Sequence, residues 1–232
     1  MCGAIVLNAA AIAAQAQVIA PVSVELAAAH RVSAVTVTNR SEGAMTFQAQ
    51  VLAWTQAAGL DEHQVTSDLL VVPPVARVQP GASQIFRIAL RRAPLRQQEM
   101  SYRLILEDVS AETAPPSAGG ASVRLQVRHS LPVFVEPEQH AAPPRLEMRA
   151  CDEHVPRACL RVNNPGGIHA KVLRIEAEGP GGWRREIAAS ATVLAGSWRQ
   201  WEFEGAPKNG RLAIRAETTA GVITTQVPLS QP

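Results

Sequence analysis

Residues 102–106 read Tyr102-Arg103-Leu104-Ile105-Leu106, a run in which Tyr102, Leu104 and Leu106 recur with period two. Successive side chains of an extended strand point to opposite faces, so such a run lays one face on a core and the other toward solvent. The alternation recurs on both sides of this stretch, at Phe86-Arg87-Ile88-Ala89-Leu90, at Phe47-Gln48-Ala49-Gln50-Val51, and at Val123-Arg124-Leu125-Gln126-Val127-Arg128. Gly, Pro, Asn and Ser punctuate the runs, and helical patterning of useful length is hard to find. Short strands at close spacing argue for an all-β sandwich. Strands are expected near 21–26, 32–39, 46–55, 68–72, 84–91, 101–107 and 121–135, which suits an immunoglobulin-like domain. Tyr102, the only tyrosine, opens the sixth of these. It is either a corner tyrosine whose hydroxyl bonds nearby backbone or a ring packed in the core.

Beyond this region the pattern breaks at Glu136-Pro137 and resumes after Pro143-Pro144. Proline cannot donate to a ladder and pushes its neighbours to extended shapes, so 137–144 reads as a hinge or linker. A first domain over 18–136 and a second β-sandwich domain over 145–232 follow. In the second, short runs lie at 145–151, 158–162, 170–177, 183–187, 198–204, 211–217 and 222–227. The polar insertion Ser110–Gly120 reads as a loop between the sixth and seventh strands. At the other end, Ala4 to Ala14 is apolar save Asn8, and Ala14-Gln15-Ala16 has the small-x-small form of a signal-peptidase site. Residues 1–17 therefore read as a secretory signal peptide, although no Lys or Arg precedes the apolar stretch. It is too short for a secure membrane span, and nothing later is long enough, so no membrane insertion is expected.

The composition narrows the chemistry. The 232 residues are 47% hydrophobic and 18% charged, with a net charge of +2 and only 4% aromatic residues. Nucleic-acid binding needs a concentrated basic face, and none is visible. HExxH, GxSxG, GxxxxGK[ST] and GxGxxG are absent, the four aspartates form no tight pair, and the six histidines are scattered. The expectation is a non-enzymatic protein with no cofactor and no metal. Cys151-Asp-Glu-His154-Val-Pro-Arg-Ala-Cys159 can be read as two thiols and a histidine on zinc, or as a disulfide across a hairpin. The lack of a fourth ligand and the exported context favour the disulfide Cys151–Cys159, worth about 2–3 kcal/mol in the chain-entropy model.

Three further stretches carry a resemblance: Pro73-Pro74-Val75-Ala76-Arg77-Val78-Gln79-Pro80-Gly81 leading into Ile85-Phe86-Arg87-Ile88; Glu99-Met100-Ser101-Tyr102-Arg103-Leu104; and Val127-Arg128-His129-Ser130-Leu131-Pro132-Val133-Phe134. With Val35-Thr36-Val37-Thr38-Asn39, and more weakly Val162-Asn163-Asn164-Pro165-Gly166, they resemble the periplasmic pilus-assembly chaperones of the chaperone–usher pathway. The third stretch resembles the archaic, Csu-type branch. The resemblance implies two immunoglobulin-like sandwiches set in an L, a periplasmic location, and pilus subunits and an outer-membrane usher as partners. It implies donor-strand complementation, in which the chaperone lends a strand to a subunit sandwich that lacks one. Val123, Leu125 and Val127 match the groove-filling positions; the same alternation would also fit three residues filling this domain's own core. The family holds the subunit's C-terminal carboxylate with basic residues between the domains. Here Pro132 and the Pro21-Val22-Ser23-Val24 run stand where the better-known branch has lysine and arginine. Arg128, with Arg87 second, is then the expected carboxylate anchor; the other reading makes both ordinary exposed or ion-paired strand residues. An exposed donor strand invites edge pairing, so self-association of the free chaperone, or cover by the 110–120 loop, is expected. A two-domain immunoglobulin-like surface or adhesive protein is the alternative.

Overall fold

The computed structural model describes residues 17–91, 97–110, 126–138, 141–151, 158–207 and 209–229. The chain forms two β-sandwiches. In the first, β1 (Gln17–Ala20), β3 (Val32–Asn39), β8 (Ser83–Leu90) and β6 (Leu69–Val72) make one sheet in the order β1-β3-β8-β6. The facing sheet runs β2 (Val24–Leu26), β10 (Arg128–Val135), β9 (Met100–Asp108), β4 (Met45–Ala57), β5 (Leu60–Val65), with β7 (Val75–Val78) also on β4. Period two decides what the two sheets enclose. Phe86, Ile88 and Leu90 of β8 face Phe47, Tyr102, Leu104, Leu106, Leu131, Val133 and Val135 in one buried cluster. Burying each such large apolar side chain contributes about 1.5–3 kcal/mol. The Tyr102 hydroxyl, at the base of this core, donates to Asp68 Oδ2 at 3.0 Å.

The expected first strand, 21–26, is shortened to Val24–Leu26, and another strand, Gln17–Ala20, precedes it. Gln17–Ala20 pairs antiparallel with β3, whereas Val24–Leu26 pairs parallel with β10 in the other sheet. Pro21 lies between them and has no N–H for a ladder, so the chain crosses from one sheet to the other there. Gln17, counted with the leader by its sequence, is the first residue of β1, and its side-chain amide bonds His129. Two strands carry no apolar alternation to announce them. All six residues of β5 are exposed, and β7 follows Pro73-Pro74 directly.

The second sandwich packs β11 (Glu147–Ala150), β12 (Ala158–Asn163) and β16 (Trp198–Phe203) against β14 (Arg184–Ile187), β13 (Ala170–Glu178), β17 (Gly210–Thr218) and β18 (Gly221–Leu229), with β15 (Ala191–Val193) on β13. Its core centres on Leu160, Val162, Ile175, Phe203, Leu212 and Ile214. Cys151 and Cys159 form a disulfide across the β11–β12 pair, with Cα atoms 5.3 Å apart. That settles the thiols as structural. His154 and the rest of 152–157 lie outside the described residues, as do 111–125.

Candidate functional site: where the two sandwiches meet

Trp54, Arg103 and Phe134 lie on neighbouring strands β4, β9 and β10. Their partners in alternation, Ala53, Tyr102 and Val133, belong to the first core. The three therefore stand on the opposite, outer face of the sheet, at the end that abuts the second sandwich. Leu194, from the turn after β15, closes on Trp54 and Phe134 as a third, separate buried cluster. His169 stacks on Phe134 with ring centroids 3.6 Å apart and planes 6° from parallel. Its Nδ1 lies 2.8 Å from Glu99 Oε1, and the Glu99 carboxylate is only 5% exposed. Backbone joins in: Glu99 N–H donates to Gly167 O at 2.8 Å.

The β4–β5 hairpin forms the other half of the contact. Gln56 uses its side-chain amide as a peptide group would, donating to Thr192 O at 2.9 Å and accepting from Leu194 N–H at 3.1 Å. At the hairpin tip Gly59 has φ +78, and a methyl group there would sit 2.5 Å from the Trp198 ring. Only glycine meets both demands cheaply. Asp61 Oδ1 accepts from Trp54 Nε1 at 2.7 Å and Gln56 Nε2 at 3.0 Å, and forms an ion pair with Arg199. Burial works to raise the Asp61 pKa, but the hydrogen bonds from Gln56, Trp54 and Arg199 together hold it below its ordinary value.

Arg103 completes the arrangement. Its guanidinium lies 3.7 Å from the centre of the Trp54 ring, a cation–π contact. Burial lowers its pKa; the Asp61 carboxylate works against that shift and the Arg199 charge adds to it. Its Nε is buried and has no hydrogen-bond partner. Arg199 is committed to Asp61 and to Thr192 O at 2.8 Å. Arg103 is thus a half-buried cation with no anion of its own among the described residues.

The residues expected from sequence fall elsewhere. Arg128 opens β10 opposite Glu107, exposed, and shares the outward parity of Pro132 and Phe134. Six residues from Phe134 at about 3.3 Å each, it stands about 20 Å along the strand from the meeting point. Arg87 is exposed on β8, between Ala34 and Val72, on the other sheet. The two do not form one clamp. Val127 is half-buried just before β10, and its carbonyl accepts from Asp108 N–H at 3.0 Å. Val123 and Leu125 lie outside the described residues. Sequence reasoning quoted Arg103 but had no means to separate it from Arg87 or Arg128, because all three are polar positions in alternating strands.

Two linked immunoglobulin-like sandwiches, joined through one sheet end and a long hairpin, define an all-β protein of the two-domain chaperone type. The chain belongs to the family of pili and flagellar-assembly chaperones, whose PapD N-terminal domain model matches residues 16–141. Solved structures agree on the fold. A chain of the CsuC–CsuE chaperone–tip adhesion subunit pre-assembly complex, from archaic Csu pili of Acinetobacter baumannii, is 20% identical with a TM-score of 0.70, over 91% of this chain and 97% of that one. The YadV chaperone is 16% identical with a TM-score of 0.64, over 92% and 100%. The complex of Salmonella enterica SafA pilin with the SafB chaperone contains a chain 16% identical with a TM-score of 0.63, over 92% and 96%. No curated protein matches the chain in sequence.

Proposed function

We propose that this protein is a periplasmic, non-enzymatic chaperone that binds pilus subunits by donor-strand complementation and delivers them to an outer-membrane usher. The observation that carries the reading is the family match over 16–141, which includes the whole first sandwich and the Val123–Arg128 run. Solved proteins of this fold include a chaperone with a tip adhesion subunit and one with a pilin. The leader that serves export ends before Gln17, the first residue of β1; 17–136 and 145–232 are the two domains, and 137–144 is their linker. The donor strand carries Val123, Leu125 and Val127. Ladder hydrogen bonds supply affinity, and the alternate apolar side chains fill the subunit's groove.

The subunit's terminal carboxylate needs a cation where it is desolvated. Arg103 suits this role better than Arg128 or Arg87. It is half-buried, it lies between the sandwiches, and its buried Nε is unpartnered. A charge-assisted hydrogen bond is worth about 1.5–3 kcal/mol, or about 10–100-fold in affinity. Arg103→Gln is therefore expected to weaken subunit capture by at least about tenfold while the free chaperone stays folded. Arg128→Gln is expected to leave capture near wild type. The reverse pattern would return the anchor to Arg128.

A further inference from the structure

We infer that Asp61 and Arg199 form a charge-setting pair that leaves the surroundings of the Trp54 indole, among the described residues, with one uncompensated cation, Arg103, and so fits that place to one carboxylate. The inference rests on the carboxylate-anchor reading above. Its basis is the count of charges around the Trp54 indole. Arg103 covers the ring face at 3.7 Å. At the ring edge, Nε1 donates to Asp61, which pairs with Arg199. Two guanidiniums and one carboxylate leave one positive charge.

Each partner has a reason to be there. Without Asp61, Arg103 and Arg199 would repel each other in a partly desolvated place. Without Arg199, Asp61 would stand beside Arg103 as its only counter-charge, and an arriving carboxylate would meet a neutral, occupied site. Asp61 and Arg199 are thus positioning residues: Asp61 bonds the Trp54 indole and pairs with Arg199, and the two act on the ligand through Arg103. The geometry holds them in this relation from both sandwiches. Asp61 is on the β4–β5 hairpin and is fixed by Gln56 and Trp54; Arg199 is on β16 and is fixed by Thr192 O. The pair forms only when the hairpin is docked, so the charge setting depends on the two sandwiches keeping their relative position.

The test is a ratio of affinities. A synthetic peptide of the last strand of a candidate pilus subunit from the same gene neighbourhood is made as the free acid and as the C-terminal amide, and both are titrated against the full chain. Wild type should prefer the acid by about tenfold or more. Arg103→Gln should bring the ratio near one. Arg199→Gln should do the same although Arg103 is intact. The double variant Asp61→Asn with Arg199→Gln should restore the preference, because the site again carries one positive charge. Asp61→Asn alone should keep the preference at or above wild type. Restoration in the double variant is an outcome that a merely structural role would not produce. If Arg199→Gln keeps the preference, or the double variant fails to restore it while wild type and Arg103→Gln behave as stated, the charge-setting role is overturned and the anchor stands. If wild type itself shows no preference for the acid, or Arg103→Gln keeps it, the anchor reading and this inference fall together.

Discussion

The two sandwiches contain the same turn, built around a fully buried asparagine, and use it differently. In the first, Asn39 Nδ2 donates to Gly43 O and Val78 O, and its Oδ1 accepts from Ser41 N–H. In the second, Asn164 Nδ2 donates to Ile168 O and Val193 O, and its Oδ1 accepts from Gly166 N–H. The backbone repeats too: Gly81 N–H bonds Asn39 O and Gly196 N–H bonds Asn164 O, both at 2.8 Å, with φ +74 and +69 at the two glycines. The differences lie in what the turns face. Asn164 Oδ1 also accepts from Arg145 N–H, so it ties down the chain arriving from the first sandwich. Gln79, one residue after Val78, is exposed, whereas Leu194, one residue after Val193, is 5% exposed against Trp54 and Phe134. One turn ends a sandwich in solvent. Its counterpart, with an apolar residue in one place, holds the two sandwiches together.

The largest expected effect comes from the shared device. Asn39→Ala or Asn164→Ala strips partners from two backbone carbonyls and at least one N–H. Each buried orphan costs about 1–3 kcal/mol, so a loss of about 3 kcal/mol or more is expected in urea unfolding. A loss under about 1 kcal/mol in either would break the equivalence. Next comes Leu194→Gln, which gives the second turn the residue of the first. Truncating buried leucine contacts and burying an amide should cost about 2–4 kcal/mol. Calorimetry should then show two transitions in place of one, since the sandwiches no longer unfold together. The reciprocal Gln79→Leu should change stability by less than about 0.5 kcal/mol, as surface substitutions do. Gly59→Ala should cost about 1–2 kcal/mol through its positive φ and the Trp198 ring, and should weaken the same coupling.

The smallest effect concerns pH. Burial lowers the His129 pKa below its ordinary 6.5. The folded state therefore binds fewer protons than the unfolded chain as pH falls, so this contribution is complete above pH 6.5 and is lost as pH drops through and below it. His129→Gln should flatten the decline of stability in that window. A steeper decline would mean that the imidazole gains rather than loses charge on folding.

Much of the sandwich core was legible because burial follows period two. Phe86-Arg87-Ile88 and Tyr102-Arg103-Leu104 place their apolar members inward as the alternation requires. The ranges of the second sandwich were also readable, save Ala191–Val193, a three-residue strand too short to show a period. β5 was not readable, because Leu60–Val65 is exposed on every residue and takes its ladder from β4, with no apolar face to bury. The meeting point was the least legible part. Whether Trp54, Arg103 or Leu194 faces water depends on where the second sandwich lies, and local alternation contains no such information. For the same reason Arg103, Arg87 and Arg128 looked alike as strand polar residues, although only Arg103 is half-buried beside an aromatic ring and a second arginine.

The central claim is strand donation to a pilus subunit. It is tested most directly by co-expressing the protein with a candidate pilus subunit from the same gene neighbourhood and comparing periplasmic pull-downs of wild type and Leu125→Glu. A glutamate in the middle of the donor run would force a charge into the subunit's apolar groove. Capture by wild type, and its loss in a Leu125→Glu variant that melts like wild type, is the predicted result. Equal capture by both would contradict donation through Val123, Leu125 and Val127.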